Sequence, residues 1–256
     1  MQAEILLYIA IYVLVFIFGT VIGSFVNVLI YRLPAKENIV VKNSHCMSCG
    51  HKLKWYDLVP LFSWMFLKGR CRYCKEKISV QYPLVEAING FGYVLISLVC
   101  GLNLSSILYA LCFSILVAIS VIDWRTYEIP VGLNIAILVL GICQCVLDYR
   151  NWSLYLIGMV CVSGFLFLLF LATKGRGIGG GDIKLMFAAG LLLGWKKIIV
   201  ALILGCVIGS IIHLILMRVS KKGRMLAFGP YLSAGILLAI LFGEQLINWY
   251  LKLFFG

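Results

Sequence analysis

The chain has 256 residues, of which 63% are hydrophobic and only 12% charged, with a net charge of +12. That balance excludes an ordinary soluble domain, in which about a quarter of residues are charged. The excess of Lys and Arg is spread between apolar runs, where it sets topology and is no signature of nucleic-acid binding.

Hydropathy predicts an all-α polytopic membrane protein with about eight transmembrane helices, at 5–30, 84–101, 104–122, 131–147, 153–172, 183–195, 198–217 and 229–251. The first run is too long for a removable signal peptide and lacks an obvious small-residue cleavage site. The sixth span is short, so it is expected to be tilted or re-entrant. Alternating the sides puts eighteen of the 22 Lys and Arg together: ten in 32–82, then Arg125, Lys174, Arg176, Lys184, Arg218, Lys221, Lys222 and Arg224. Arg150, Lys196, Lys197 and Lys252 fall opposite. The positive-inside bias then places 32–82 in the cytoplasm and both termini outside. The chain divides into a first helix (1–31), a small loop region (32–82) and a membrane core (83–256).

The loop region is too small to hold a large core without a staple. It carries Cys46-x-x-Cys49 and Cys71-x-x-Cys74, two pairs separated by 21 residues. That is the spacing of a four-cysteine zinc site. A reducing cytoplasm disfavours disulfides and favours metal. Four thiolates leave no open coordination position, so the zinc is expected to be structural and to supply folding energy. His45 and His51 flank the first pair as possible competing ligands or as ordinary loop polarity. The other six cysteines lie in or beside the spans and behave as small hydrophobes.

Acids are scarce, ten in all. Asp123 closes an apolar run, and Asp182 follows the glycine string Gly177-Ile178-Gly179-Gly180-Gly181. A carboxylate near hydrocarbon costs about 3 kcal/mol, so each is a functional hypothesis by default. By the charge tally both lie at the cytoplasmic face, although 58 positions separate them. Two carboxyls on one face suggest a pair and acid/base chemistry. The competing reading of Asp182 is a helix N-cap. For Asp123 it is an interfacial residue poorly placed to pair with Arg125. Gly179, Gly180 and Gly181 allow close backbone approach, as needed to receive an extended substrate. No Walker pattern accompanies them, which argues against a phosphate loop. Glu86 either favours the dipole of the second span or belongs to a cytoplasmic site. Glu128 reads as solvated, Glu244 as snorkelling or bonded to a neighbouring helix, and His213 as a helix–helix hydrogen bond or a proton relay.

Together these segments resemble the type IV prepilin leader peptidase family. The likeness runs through Gly23-Ser24-Phe25-Val26-Asn27 and Tyr31-Arg32-Leu33-Pro34, both cysteine pairs, Trp55-Tyr56-Asp57, Gly69-Arg70, and Tyr82-Pro83-Leu84-Val85-Glu86. It continues through Ile122-Asp123, Ile129-Pro130, Gly179-Gly180-Gly181-Asp182 with Lys184, and Phe228-Gly229-Pro230-Tyr231. The first pair reads Cys46-Met47-Ser48-Cys49 where proline commonly follows the first cysteine, and Val131 stands where an acid or asparagine is common. The resemblance implies an intramembrane aspartyl protease with Asp123 and Asp182 as the catalytic pair. It also implies a pilin-like precursor as substrate and cleavage after a glycine at the cytoplasmic face of the inner membrane. Methylation of the new N-terminus with S-adenosylmethionine would follow. The loop 32–82 is the part associated with methylation, with Glu86 and Gly69 as candidate residues. Membrane lipid is the other expected partner, and nothing sets the oligomeric state. The rivals are a peptidase without methyl transfer, and a transporter with a zinc-stabilised loop. A transport site would favour acids at the midplane rather than at one face.

Overall fold

A computed structural model describes residues 2–39, 43–219 and 227–255. Lys42, Lys221, Lys222 and Arg224 of the charge tally lie outside the described residues. Among the described residues every regular element is a helix: α1 (Gln2–Arg32), α2 (Phe62–Phe66), α3 (Gln81–Cys100), α4 (Leu104–Thr126), α5 (Val131–Leu147), α6 (Trp152–Ala172), α7 (Gly180–Leu193), α8 (Trp195–Val219) and α9 (Gly229–Phe255). Two short 3-10 turns sit at Trp55–Asp57 and Tyr149–Asn151. Each predicted span falls on one of these helices, and α2 is the addition within the loop region.

Two compact units divide the chain between Leu102 and Asn103. In the first, α1 packs on α3, and the residues between them form the cysteine-bearing region. In the second, α4 to α9 form a bundle. Six helices (α1, α3, α4, α6, α8 and α9) are long and apolar enough to cross a membrane. The helix α4 opens on Asn103, whose side chain accepts the Ser106 N–H at 2.9 Å. Of the two readings of Glu244, the bond to a neighbouring helix holds: it pairs with Lys197 of α8 at 2.8 Å, which also accounts for a lysine on the sparsely charged side. His213 has no hydrogen-bond partner among the described residues, so neither of its readings gains support.

The expected short span is α7, with 14 residues. At about 1.5 Å per residue it reaches about 21 Å, well short of a hydrocarbon core of about 30 Å. Its solution is enclosure by protein. Leu185, Met186, Ala189 and Leu192 are fully buried, and α7 packs mainly on α5 and α6. A helix sheltered this way need not match the bilayer by itself. The α6–α7 crossing depends on two glycines. A Cβ on Gly158 would lie 2.5 Å from the Gly190 carbonyl oxygen, and one on Gly190 would strike the Gly158 carbonyl in turn. Backbone meets backbone there, so no side chain can move aside. Gly190→Val is therefore expected to destabilise the bundle by about 2–3 kcal/mol, as for a severe overpacking change. A thermal shift of several degrees in detergent, absent for Gly132→Ala at an open position, checks it.

Candidate active site and cysteine cluster

Asp123 lies in the last turn of α4 and is 5% exposed. The helix stops just beyond it at Tyr127, which adopts a left-handed conformation (φ 57°) and returns its N–H to the Asp123 carbonyl at 2.9 Å. That is a common way to end a helix. The Asp123 carboxyl accepts the backbone N–H of Gly229 at 2.8 Å. Gly229 opens α9, so the carboxyl sits at a helix N-terminus, where free amides attract negative charge.

Asp182 occupies the first turn of α7 and is 8% exposed. The N-cap is Gly179, which corrects the simple capping reading. As the third helical residue, Asp182 turns its carboxyl back toward the Gly179 backbone, 3.1 Å from where a Cβ on Gly179 would stand. A second helix start thus faces a second buried acid. The two carboxyls interact electrostatically, and both line one cleft of about 260 Å³ with Tyr127, Glu128, Ile129, Gly179, Gly180, Gly181 and Lys184. Predicted site residues from two distant segments are brought together here. Gly180 has open space where a side chain would stand, whereas a Cβ on Gly181 would press on Ile129 at 3.1 Å. Sequence reasoning missed the backbone of Gly229 and the lining by Tyr127 and Ile129. The available signal was Gly229-Pro230 opening an apolar helix, which leaves an amide free for an acid.

In the other unit, the Sγ atoms of Cys46, Cys49, Cys71 and Cys74 all lie within 4.8 Å of one another, and Cys46 and Cys74 are 3.8 Å apart. A tetrahedral ion with sulfur bonds of about 2.3 Å needs separations of about 3.8 Å, so these four residues could hold a metal. All four are free thiols. The two halves repeat one hydrogen-bond plan. Cys46 N–H reaches His51 O at 3.0 Å and Gly50 N–H returns to Cys46 O at 2.9 Å. Cys71 N–H reaches Glu76 O at 2.8 Å and Lys75 N–H returns to Cys71 O at 3.1 Å. Gly50 (φ 70°) and Lys75 (φ 62°) hold the matching left-handed position. The Cys49 backbone N–H holds the Cys46 thiol down at about 6 against the opposing effect of burial. At Cys74 the hydrogen bond from Glu76 N–H is outweighed by desolvation and the thiols of Cys71, Cys49 and Cys46, which push it up to about 12. Sulfurs that resist losing all their protons together are what a divalent cation neutralises. The histidines stand aside: the His51 ring lies against Tyr73 with centroids 3.6 Å apart and a 33° tilt, and His45 Nδ1 faces the Asn43 carbonyl at 3.2 Å.

The remaining candidates lie in the same unit. Glu86 is beyond the first turn of α3, so the dipole reading does not apply. It is buried, and its carboxyl accepts the Leu61 N–H at 2.8 Å and the Ser24 hydroxyl. Gly69 has φ 67° and packs under Trp64, whose Cζ2 would be 2.9 Å from an added Cβ.

Residues 17–100 match the bacterial peptidase A24 N-terminal domain, and residues 110–214 match the type IV leader peptidase family. The chain is 32% identical to a prepilin leader peptidase/N-methyltransferase of Aeromonas salmonicida (strain A449), over 93% of each chain. It is also 32% identical to the enzyme of that name from Bacillus subtilis (strain 168), over 95% of this chain and 99% of the relative. No solved structure matches. The chain belongs to the type IV leader peptidase family.

The repeated plan of the cysteine halves has a measurable consequence. Lysine in a left-handed conformation costs about 1 kcal/mol that glycine avoids, so Lys75→Gly should slow metal loss to a chelator by up to about fivefold. Gly50→Val, which imposes a β-branched residue on the same conformation, should speed it. Metal content by mass spectrometry over time reads both.

Proposed function

We propose that this member of the type IV leader peptidase family cleaves the leader of pilin-like precursors after a glycine and then N-methylates the new terminus, with Asp123 and Asp182 as its catalytic pair. The observation that carries the reading is the meeting of two buried carboxyls from α4 and α7 in one cleft. Two carboxyls that repel one another in one cleft do not both ionise easily, so they share a proton. The ionised member takes a proton from a water attacking the scissile carbonyl. The protonated member donates to the carbonyl oxygen, and a proton then passes to the leaving amine. The Gly229 N–H orients Asp123 throughout. Gly179, Gly180 and Gly181 leave room beside the acids for an extended peptide, and Lys184 and Glu128 stand at the edge where leader charge would be felt. The cleft is taken to open to the cytoplasm of an inner-membrane protein, as the excess of Lys and Arg supports.

In the division of labour proposed here, 32–82 serves methylation and 83–256 holds the peptidase core, with 1–31 as the first membrane helix. Zinc is the ion the four thiols suit best, and its role is to fold this region. The methyl donor would be S-adenosylmethionine. Glu86 and Gly69 do not fit as its direct contacts, because Leu61, Ser24 and Trp64 already occupy their faces. They are assigned to shaping the methylation region, and no methyl-transfer step is drawn through them.

Asp123→Asn and Asp182→Asn should each reduce cleavage by at least about a hundredfold, with membrane insertion unchanged. Mass spectrometry of a co-expressed precursor reads the outcome. Cleavage with one added CH₂ supports both activities, and cleavage alone removes the methyltransferase. An uncleaved precursor with the unsubstituted protein would favour a transporter. A fully active single Asn variant would sink the pair. Gly229→Ala places a Cβ 2.8 Å from Asp123 Oδ2, so it should slow cleavage about tenfold or more by displacing that carboxyl.

A further inference from the structure

The cysteine-bearing region carries large side chains turned away from its own interior. In α2, Ser63 and Trp64 are half-buried, as is Leu67 just after it, and Trp64 Nε1 donates to the Ile78 carbonyl at 3.3 Å. Phe62, Met65 and Phe66 share the other face and are 56%, 61% and 82% exposed, with Trp55 nearby in the chain at 79%. A contiguous exposed apolar face of this kind marks an interaction surface. Exposed Lys54, Lys68 and Arg70 flank it in sequence. Residues 43–80 hold seven Lys and Arg against two acids, Asp57 and Glu76. Arg72 pairs with Asp57 at 2.8 Å, which leaves six Lys and Arg against Glu76 alone and the same net excess of five positive charges.

The depth of this face is fixed by hydrogen bonding. Tyr31, near the end of α1, stacks on Tyr82, at the start of α3, at 5.3 Å. Tyrosines at the ends of spanning helices sit at the membrane–water boundary. Glu86 lies one turn deeper along α3 than Tyr82, and it holds the N–H of Leu61, the residue just before α2. That bond draws α2 to the level where α3 enters the bilayer. Aromatic and thioether side chains held there, in a region with this excess of Lys and Arg, suit the headgroup–acyl boundary of an anionic leaflet.

We infer that Trp55, Phe62, Met65 and Phe66 form an interfacial anchor that seats the cysteine region on anionic lipid. The lipid is the occupant of this face; another part of the chain or a precursor helix is not. The anchor holds the region in the plane where α1 and α3 leave the membrane. It does not depend on the peptidase or methyltransferase reading, because it rests on exposure, charge and the Glu86–Leu61 bond.

The test uses the full chain in nanodiscs containing phosphatidylglycerol and a phospholipid bearing a photoactivatable group near the headgroup. Peptide mapping by mass spectrometry should find lipid adducts on 55–66, beside those on the exposed Leu6 and Leu7 of α1 that serve as control. A Phe62→Ser/Phe66→Ser variant should lose those adducts severalfold while keeping its α1 adducts and its metal content. Replacing phosphatidylglycerol by phosphatidylcholine should also reduce them. Adducts on α1 with none on 55–66 would overturn the anchor. So would a photoreactive phenylalanine analogue at position 66 that crosslinks to α4–α9 or to a precursor instead of lipid.

Discussion

The hydrogen bond from Gly229 N–H to Asp123 constrains the second compact unit. It joins positions 106 residues apart. It sets the end of α4 and the beginning of α9 at one level, because only a helix start offers an amide free of intrahelical duty. A carboxyl this far from bulk water needs such a donor or a shared proton. Removing the donor from a buried acceptor costs about 1–3 kcal/mol. Asp182 meets the same demand in another way, lying in the first turn of α7 with its carboxyl folded toward Gly179. Two helix starts and two acids therefore share one boundary of the bundle.

That arrangement accounts for the shortness of α7. A helix that must begin beside Asp123 and turn at Gly194 into α8 has room for only 14 residues. Such a helix tolerates the mismatch because α5 and α6 wrap it. The glycine pair at positions 158 and 190 brings α6 close enough to do so. The position of Asp182 thus depends on packing some distance from the cleft. A change at Gly190 is expected to reach the cleft by tilting α7 rather than by touching either acid.

The first unit is organised on a more local scale. Each cysteine pair closes a short hydrogen-bonded turn, and a left-handed residue follows it at Gly50 and at Lys75. Asp57 ties the second turn to the preceding 3-10 turn through Arg72 and Tyr73. Glu86 then joins the whole region to α3. A first-turn acid on α3 could have been explained by the helix dipole, but the position one turn later calls for a tertiary partner, and Leu61 supplies it. Leu61 itself holds a positive φ of 61°, a conformation that a leucine keeps only where surrounding contacts enforce it. The Glu86 hydrogen bond is one such contact.

What the sequence made legible follows from the range of each interaction. The spans could be read because hydropathy is a local sum, and the cysteine cluster because its ligand spacing is short and patterned. Asp123 and Asp182 stood out because acids are rare in apolar runs, but their meeting was visible only through the charge tally and the family likeness. Gly229 as a partner was hidden, since a backbone donor has no side-chain signature. The matching of Lys75 to Gly50 was hidden too, because a lysine does not advertise a left-handed backbone. The exposed face of α2 was concealed for a third reason. Nothing in Phe62-Ser63-Trp64-Met65-Phe66 separates the half-buried Ser63 and Trp64 from the exposed Phe62, Met65 and Phe66 until the helix is built. In a chain this apolar, hydrophobicity no longer separates inside from outside. The depth imposed by Glu86 and Leu61 does, and it is what distinguishes a face meant for lipid from one meant for protein.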